Sequence, residues 1–362
     1  MKWKRRSNAL CFAERDVKVM AQCRMPVSEL LRQNRSDCRI PPLWSVLSYV
    51  MLQCDREEAH IWRRYRHLTE LAKNPASGYH RRWIPKSNGE LRPLAVPGGE
   101  IRRQQKFIME QILSGLSVDD HACAYRRGVG IRDCAQPHIG RDVLIHLDIR
   151  DFFGSVTEEM VYEMLRRETR YEKSLCRFLA RMCTLRGKLP QGAVTSPMLS
   201  NLVFRRCDEE LSTLAEQYGL VYTRYSDDLF FSGGGSVQVE GFIRGAAVLL
   251  GRYGFRLNGE KTTVRRRQHR QAVLGLTVNQ WLQVNRDYRR RLMQELYYLE
   301  RFGRDCDGAR ACGDYHQYLQ ILQGKLAYVI QMDPDNIKLR TAQLMLTAKM
   351  EQYEILHEAG FM

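Results

Sequence analysis

The stretch LVYTRYSDDLFFSGGG, residues 220–235, sets two adjacent carboxylates, Asp227 and Asp228, between two short apolar and aromatic runs. Residues 220–225 predict a strand and residues 229–232 its return, so the carboxylates fall at the tip of a hairpin. Side by side, their charges repel, and the pair is hard to keep ionised without a cation. An exposed Asp-Asp turn uses the same letters. A divalent-metal site needs further ligands from elsewhere in the chain.

One such ligand lies 79 residues upstream. VLIHLD, residues 143–148, predicts a short buried strand that ends in Asp148 and runs into IRDFFGSV. Ser155 with Glu158 three residues later predicts a capping box opening a helix over 156–168, with Met160, Val161, Met164 and Leu165 on one face. KLPQGAVTSPMLSNLVF, residues 188–204, predicts a loop at Gln191-Gly192 and then a helix with Pro197 in its first turn. An apolar face runs from Leu199 to Tyr218 until Gly219 stops the helix. The order strand, helix, loop, helix, strand-turn-strand can set the end of one strand beside a hairpin tip in an antiparallel sheet backed by helices. Three carboxylates gathered there would hold two divalent ions, which activate an attacking 3′-oxygen and stabilise leaving pyrophosphate in nucleotidyl transfer. Mg²⁺ favours such carboxylate-plus-phosphate coordination.

Further out, residues 43–54 and 60–72 predict helices, the second with Trp62, Tyr65, Leu68 and Leu71 on one face. YHRRWIPKSNGELRPLAVP, residues 79–97, predicts a β-hairpin about Asn88-Gly89. Lys86 and Arg92 flank that turn, and two cations held there suit a triphosphate. Residues 101–113 predict a helix, 239–253 another, and 255–264 and 272–279 strands, with a basic patch at 265–270 between them. From about Val284 the pattern is helical, and Tyr288, Arg289, Arg290, Arg291, Tyr297 and Tyr298 are followed by Tyr315, Tyr318, Lys325 and Tyr328. Interleaved aromatic and basic residues suit a nucleic-acid groove; a helical bundle edged with tyrosines has the same composition.

Bulk composition agrees. The 362 residues are 44% hydrophobic and 27% charged, with a net charge of +16, which indicates a folded chain with a polyanionic partner, most simply nucleic acid. The first 110 residues hold 22 Lys and Arg against 11 Asp and Glu. Eleven scattered cysteines include no CxxC pair, which argues against a zinc site and for a reducing cytoplasm. No run approaches the ~20 apolar residues of a membrane span, and the basic N-terminus lacks the apolar run of a signal peptide. The expectation is a cytoplasmic protein with no membrane partner.

At this point the sequence resembles the reverse transcriptases. Over residues 79–280 the family's motifs follow in order: IPKSNGELRPLAVP resembles the fingers hairpin, HLDIRDFFGSV the first catalytic motif, LPQGAVTSPMLSNLVF the nucleotide-positioning motif, YSDDLFFS the YxDD box, and LNGEKT and VLGLTVN the two motifs that close the palm. The resemblance implies an α+β right-hand polymerase with fingers, a palm of antiparallel sheet packed on helices, and a helical thumb. It implies Asp148, Asp227 and Asp228 as ligands of two Mg²⁺ ions, with Ile149 adding its backbone carbonyl. Lys86, Arg92 and Gln191 would contact the dNTP. Phe153 would exclude the ribose 2′-OH, with Phe152 beside it open to the same reading. Lys261 would stand near the leaving pyrophosphate as a proton donor.

Within that family the chain most resembles the bacterial retron enzymes. DCAQPHIG at 133–140 resembles their NAxxH motif, keeping Ala135 and His138 with Cys134 in place of Asn, and VLG at 273–275 resembles their VTG motif with Leu274 in place of Thr. Ser226 replaces the commoner Ala of the YxDD box. The implied domains are an N-terminal helical extension (1–75), the N-terminal part of the fingers (76–140), the palm (141–284, with 156–190 contributing to the fingers) and an RNA-binding thumb (285–362). Arg289, Arg290, Arg291 and His138 are the candidate RNA contacts. The implied partner is a cognate structured noncoding RNA, template and primer for a branched RNA–DNA product (msDNA), with an effector protein encoded nearby and a role in anti-phage defence. The rival readings are another defence-associated or group II-like reverse transcriptase with different priming, and a catalytically inactive RNA-binding scaffold.

Overall fold

Two β-prone runs on either side of Asn88-Gly89 pair as an antiparallel hairpin, β1 (Tyr79–Pro85) and β2 (Leu91–Pro97), with Tyr79 opposite Pro97 and Pro85 opposite Leu91. The computed structural model describes residues 46–51, 53, 58–85 and 89–358. The N-terminal extension before residue 46, and Lys86 at the hairpin turn, lie outside the described residues.

The chain folds as two compact units. One comprises the described residues up to Tyr125 together with 149–210 and 247–257. It holds β1 and β2 and the helices Glu58–Lys73, Gly99–Gln111, Glu158–Glu168 and Lys173–Cys183. Its core includes the ring cluster of Phe152, Phe204 and Phe255, with centroids 4.8–5.8 Å apart, a spacing at which aromatic pairs gain beyond their buried area. Helix Glu158–Glu168 buries Val161, Met164 and Leu165 as its periodicity predicts. The cap differs from expectation: Thr157, not Ser155, accepts from the Met160 amide. Ser155 instead ends a separate helical turn, Phe152–Ser155.

The other unit comprises residues 126–148, 211–246 and 258–362. Its sheet has four antiparallel strands, β3 (Val143–Asp148), β4 (Leu220–Tyr225), β5 (Asp228–Gly233) and β6 (Thr263–Arg266), in the order β4-β5-β3-β6. The near-continuous apolar runs of β3 and β5 take the two central places, and short, arginine-bearing β6 takes an edge, where charge discourages further pairing. Gly219, with φ +68°, ends the helix Ser196–Gln217. A Cβ on Gly233 would meet the Gly219 carbonyl oxygen at 2.5 Å, so this strand end accepts only glycine.

Two predicted strands are corrected. Of residues 255–264 only the last two are in a strand, β6; Asn258-Gly259 makes a turn closed by Lys261 N–H donating to Asn258 O at 3.2 Å. Residues 272–279 form a tight hairpin, β7 (Ala272–Val273) and β8 (Leu276–Thr277). Leu274 and Gly275 turn it at φ +50° and +84°, the left-handed pair a two-residue hairpin loop requires. From Asn285, whose side chain caps Arg286–Phe302, the chain is helical as predicted. Leu292, Leu296, Leu319, Leu322, Leu326 and Val329 bury its inner face.

Candidate active site

The register of β3 and β5 makes Asp148 and Asp228 directly opposed partners, and opposed side chains in such a pair stand about 5 Å apart at Cβ. Tyr225 pairs with Asp228, leaving Ser226 and Asp227 as a two-residue loop. Ser226 takes φ +61°, a conformation uncommon for a residue with a Cβ. The fully buried Arg224 helps hold it, Nη1 donating to Ser226 O at 3.2 Å. The hairpin tip is thus fixed by backbone geometry, and both carboxylates of the YSDD stretch lie beside the end of β3.

Lys261 completes the group. The Asn258 amide donates to the Asp148 carbonyl at 2.8 Å, which ties the Asn258–Lys261 turn to the strand end. Lys261 Nζ lies 2.7 Å from Asp148 Oδ2, the lysine side chain 59% exposed and the aspartate side chain 4%. That hydrogen bond raises the Lys261 pKa above its ordinary value. Burial raises the Asp227 carboxyl, and the charges of Asp228 and Asp148 raise it further. One residue escaped the sequence reading: His146 Nε2 lies 2.7 Å from Asp228 Oδ1. Its signal was its place on β3, two residues before Asp148 and hence on the same face.

The donor set fits a divalent cation. The groups are hard carboxylate oxygens, and Asp227 bears the electrostatic cost of two neighbouring charges, which a cation would relieve. Among the described residues no three His, Cys, Asp or Glu side chains form a ready-made cage; Asp148 and Asp228 are turned to Lys261 and His146.

The other candidates lie in the first unit. Phe152 is buried among Phe204 and Phe255, whereas Phe153 is half-buried beside Tyr125, ring centroids 6.3 Å apart. Gln191 O accepts from Ala95 N at 2.8 Å, so its loop is fastened to β2, the strand that carries exposed Arg92. Gly192, at φ +112°, leaves no room for a Cβ, which would meet Ala95 O at 2.9 Å. Buried Gln105 holds the same loop, accepting from Val194 N at 3.3 Å and donating to Met182 O at 3.0 Å. Ile149 is buried and its backbone bridges to Leu257.

The RNA-contact candidates divide. His138 is fully buried, with Nδ1 2.6 Å from Ser232 Oγ and Nε2 2.8 Å from Thr223 Oγ1. Its ring has no surface to offer RNA, so the expected contact is corrected to an internal one. Arg290 and Arg291 are exposed, while Arg289 lies 3.7 Å from Asp333. Of the aromatic and basic series, Tyr297 and Tyr298 are exposed, but Tyr318 is buried and Lys325 is paired with Glu295 at 2.7 Å.

An antiparallel sheet with opposed carboxylates at a strand end and a hairpin tip, in an α+β chain with a helical C-terminal segment, is the palm of a right-hand polymerase. The family model described as reverse transcriptase (RNA-dependent DNA polymerase) matches residues 84–278, and the chain belongs to that family. It is 36% identical over 270 residues to the retron Mx65 reverse transcriptase of Myxococcus xanthus, covering 70% of this chain and 61% of that one. It is 32% identical over 294 residues to the retron Mx162 enzyme of the same organism (72% and 59%) and 29% over 190 residues to the retron Ec86 enzyme of Escherichia coli (52% and 59%). The resemblance to the bacterial retron type therefore stands. The chain spans about three fifths of the length of these relatives. Among the described residues no helix is long and apolar enough to cross a membrane.

Proposed function

We propose that the protein is an RNA-directed DNA polymerase of the retron type, copying a structured noncoding RNA with dNTPs and two Mg²⁺ ions into a branched RNA–DNA hybrid. The observation that carries this reading is the opposed pair Asp148 and Asp228 with Asp227 in the adjoining loop. These three carboxylates, with the Ile149 carbonyl, would hold the ions, which when bound supply charge for activating the 3′-oxygen and stabilising pyrophosphate. The chain's own residues do the rest. Arg92, with Lys86, binds the triphosphate; Gln191, on its fastened loop, lies against the incoming nucleotide; Lys261 donates a proton toward the leaving pyrophosphate. Arg290 and Arg291 offer exposed cations to RNA phosphates. The proposal includes an effector protein encoded nearby and a part in anti-phage defence, as the retron resemblance implies.

Sequencing the nucleic acid that copurifies with the chain tests the retron part. The expected result is one RNA species joined through a branch to DNA copied from it. Unbranched DNA from unrelated templates would leave a reverse transcriptase with different priming.

The two neighbouring phenylalanines separate by variant. Phe153→Ala is expected to lower discrimination of dNTPs over NTPs by about 10- to 100-fold, the range that excluding one small group from a shaped pocket commands, at little cost in stability. Phe152→Ala is expected to lose about 3–5 kcal/mol of stability, as for a large core side chain, with selectivity kept in the folded fraction. Single-nucleotide incorporation assays and thermal unfolding distinguish the two; unchanged selectivity in Phe153→Ala moves the gate elsewhere.

A further inference from the structure

Side chains alternate across a pleated strand, so residues 146 and 148 of β3 share a face with 228 and 230 of the adjoining β5. The register opposes Asp148 to Asp228 and His146 to Phe230. His146 is therefore the diagonal neighbour of Asp228, within reach of a long side chain. Its imidazole lies flat on the Phe230 ring, with centroids 4.8 Å apart and planes inclined at 13°. That stacking fixes the ring plane, and in that plane Nε2 meets Asp228 Oδ1 at 2.7 Å. Both side chains are partly shielded, 25% and 31% exposed.

From this geometry we infer that His146 is the positioning residue of Asp228. The inference rests on Asp228 being a metal ligand. A donor on Oδ1 fixes the carboxylate's torsion and withdraws that oxygen from competition, so Oδ2 alone is presented to the cation. The same division holds at Asp148, where Lys261 takes Oδ2. An Nε2–H donates in the neutral imidazole as well as in the imidazolium, so the role needs no change of protonation. Outer partners that orient ligating groups command about 10- to 100-fold in metal affinity or activity.

Two replacements separate the hydrogen bond from the stacking. His146→Phe keeps an aromatic ring on Phe230 and removes the donor; His146→Gln puts an amide N–H about where Nε2 stood. Mn²⁺ binding to the full chain, read by the electron paramagnetic resonance of free Mn²⁺, is expected to weaken about 10-fold in His146→Phe and to stay within about 3-fold of wild type in His146→Gln. In primer extension, His146→Phe is expected to raise the half-saturating Mg²⁺ concentration by a similar factor, while kcat at saturating Mg²⁺ stays within a few-fold. Thermal midpoints report whether the variants fold. Mn²⁺ binding by His146→Phe equal to wild type, or by His146→Gln no better than by His146→Phe, overturns the positioning role. Asp228→Asn serves as the reference: if it too binds Mn²⁺ like wild type, the assignment of Asp228 as a ligand fails with it, whereas if it binds weakly while His146→Phe does not, only the positioning role fails.

Discussion

Asp228→Asn is expected to reduce RNA-templated DNA synthesis by at least about 1,000-fold while leaving the fold as stable as wild type or more so. The rate loss follows from removing the charge of one ligand in a site whose stabilisation of developing negative charge is worth several kcal/mol; three decades correspond to about 4 kcal/mol. The stability half follows from Asp227, whose carboxyl is raised by burial and then by the charges of Asp228 and Asp148. A carboxyl with a raised folded-state pKa binds more protons folded than unfolded, so stability falls as pH rises between the unfolded and folded values and stays lowered above them. Neutralising Asp228 removes part of that shift and returns stability at neutral pH. Asn keeps the shape of Asp and still offers Oδ1 to His146. Less activity with no loss of stability is the signature of a group retained for chemistry at a cost to the fold. Primer extension and thermal unfolding on one preparation read both halves. Activity within about tenfold of wild type would remove Asp228 from the catalytic machinery, and a large fall in thermal midpoint would make its role structural.

The hairpin at 220–233 was legible because three local signals agree there: β-prone runs, a turn, and charges that no core would bury unpaired. Asp148 was legible for the same reason, as a carboxylate closing a buried strand. The failures lie where local signals conflict or where partners are distant in sequence. Residues 255–264 have β-prone ends, but Asn258-Gly259 imposes a turn and leaves only Thr263 and Val264 in a strand. The strand predicted across residues 272–279 folds back at Leu274, a residue that gives no sign of a left-handed backbone. Gln104 and Gln105 are both fully buried, and Tyr49, Met182 and Val194, distant in sequence, supply their hydrogen bonds. His146 shares the Asp148 face of β3, but its link to Asp228 needs the register, which opposes it to Phe230 and leaves Asp228 its diagonal neighbour.

His138 shows the same limit and carries the second large effect. Its place in DCAQPHIG, which resembles the retron NAxxH motif, suggests an RNA contact; in the fold both its nitrogens are spent on Ser232 and Thr223, and Thr223 Oγ1 donates on to Cys134 O at 2.9 Å. Burial, with Arg141 nearby, pushes its pKa down to about 3, so the ring is neutral when folded. An unfolded histidine takes up a proton near pH 6.5. Between those values the unfolded chain binds more protons, and stability falls as pH falls. Relative to pH 8, the loss from this residue alone comes to about 2 kcal/mol at pH 5. His138→Ala is expected to cost about 2–4 kcal/mol at pH 8, from a cavity and two hydroxyls that lose a partner. At pH 5 its deficit should narrow by about 2 kcal/mol, because the variant has no such proton to take up. Denaturant unfolding of both proteins at the two pH values gives the comparison. A deficit independent of pH would mean that the ring is not held neutral. RNA binding by folded His138→Ala should keep the wild-type dependence on salt, since no phosphate contact is removed. A shallower salt slope would restore the RNA contact and require the ring to leave the core, where Ser232 and Thr223 hold it.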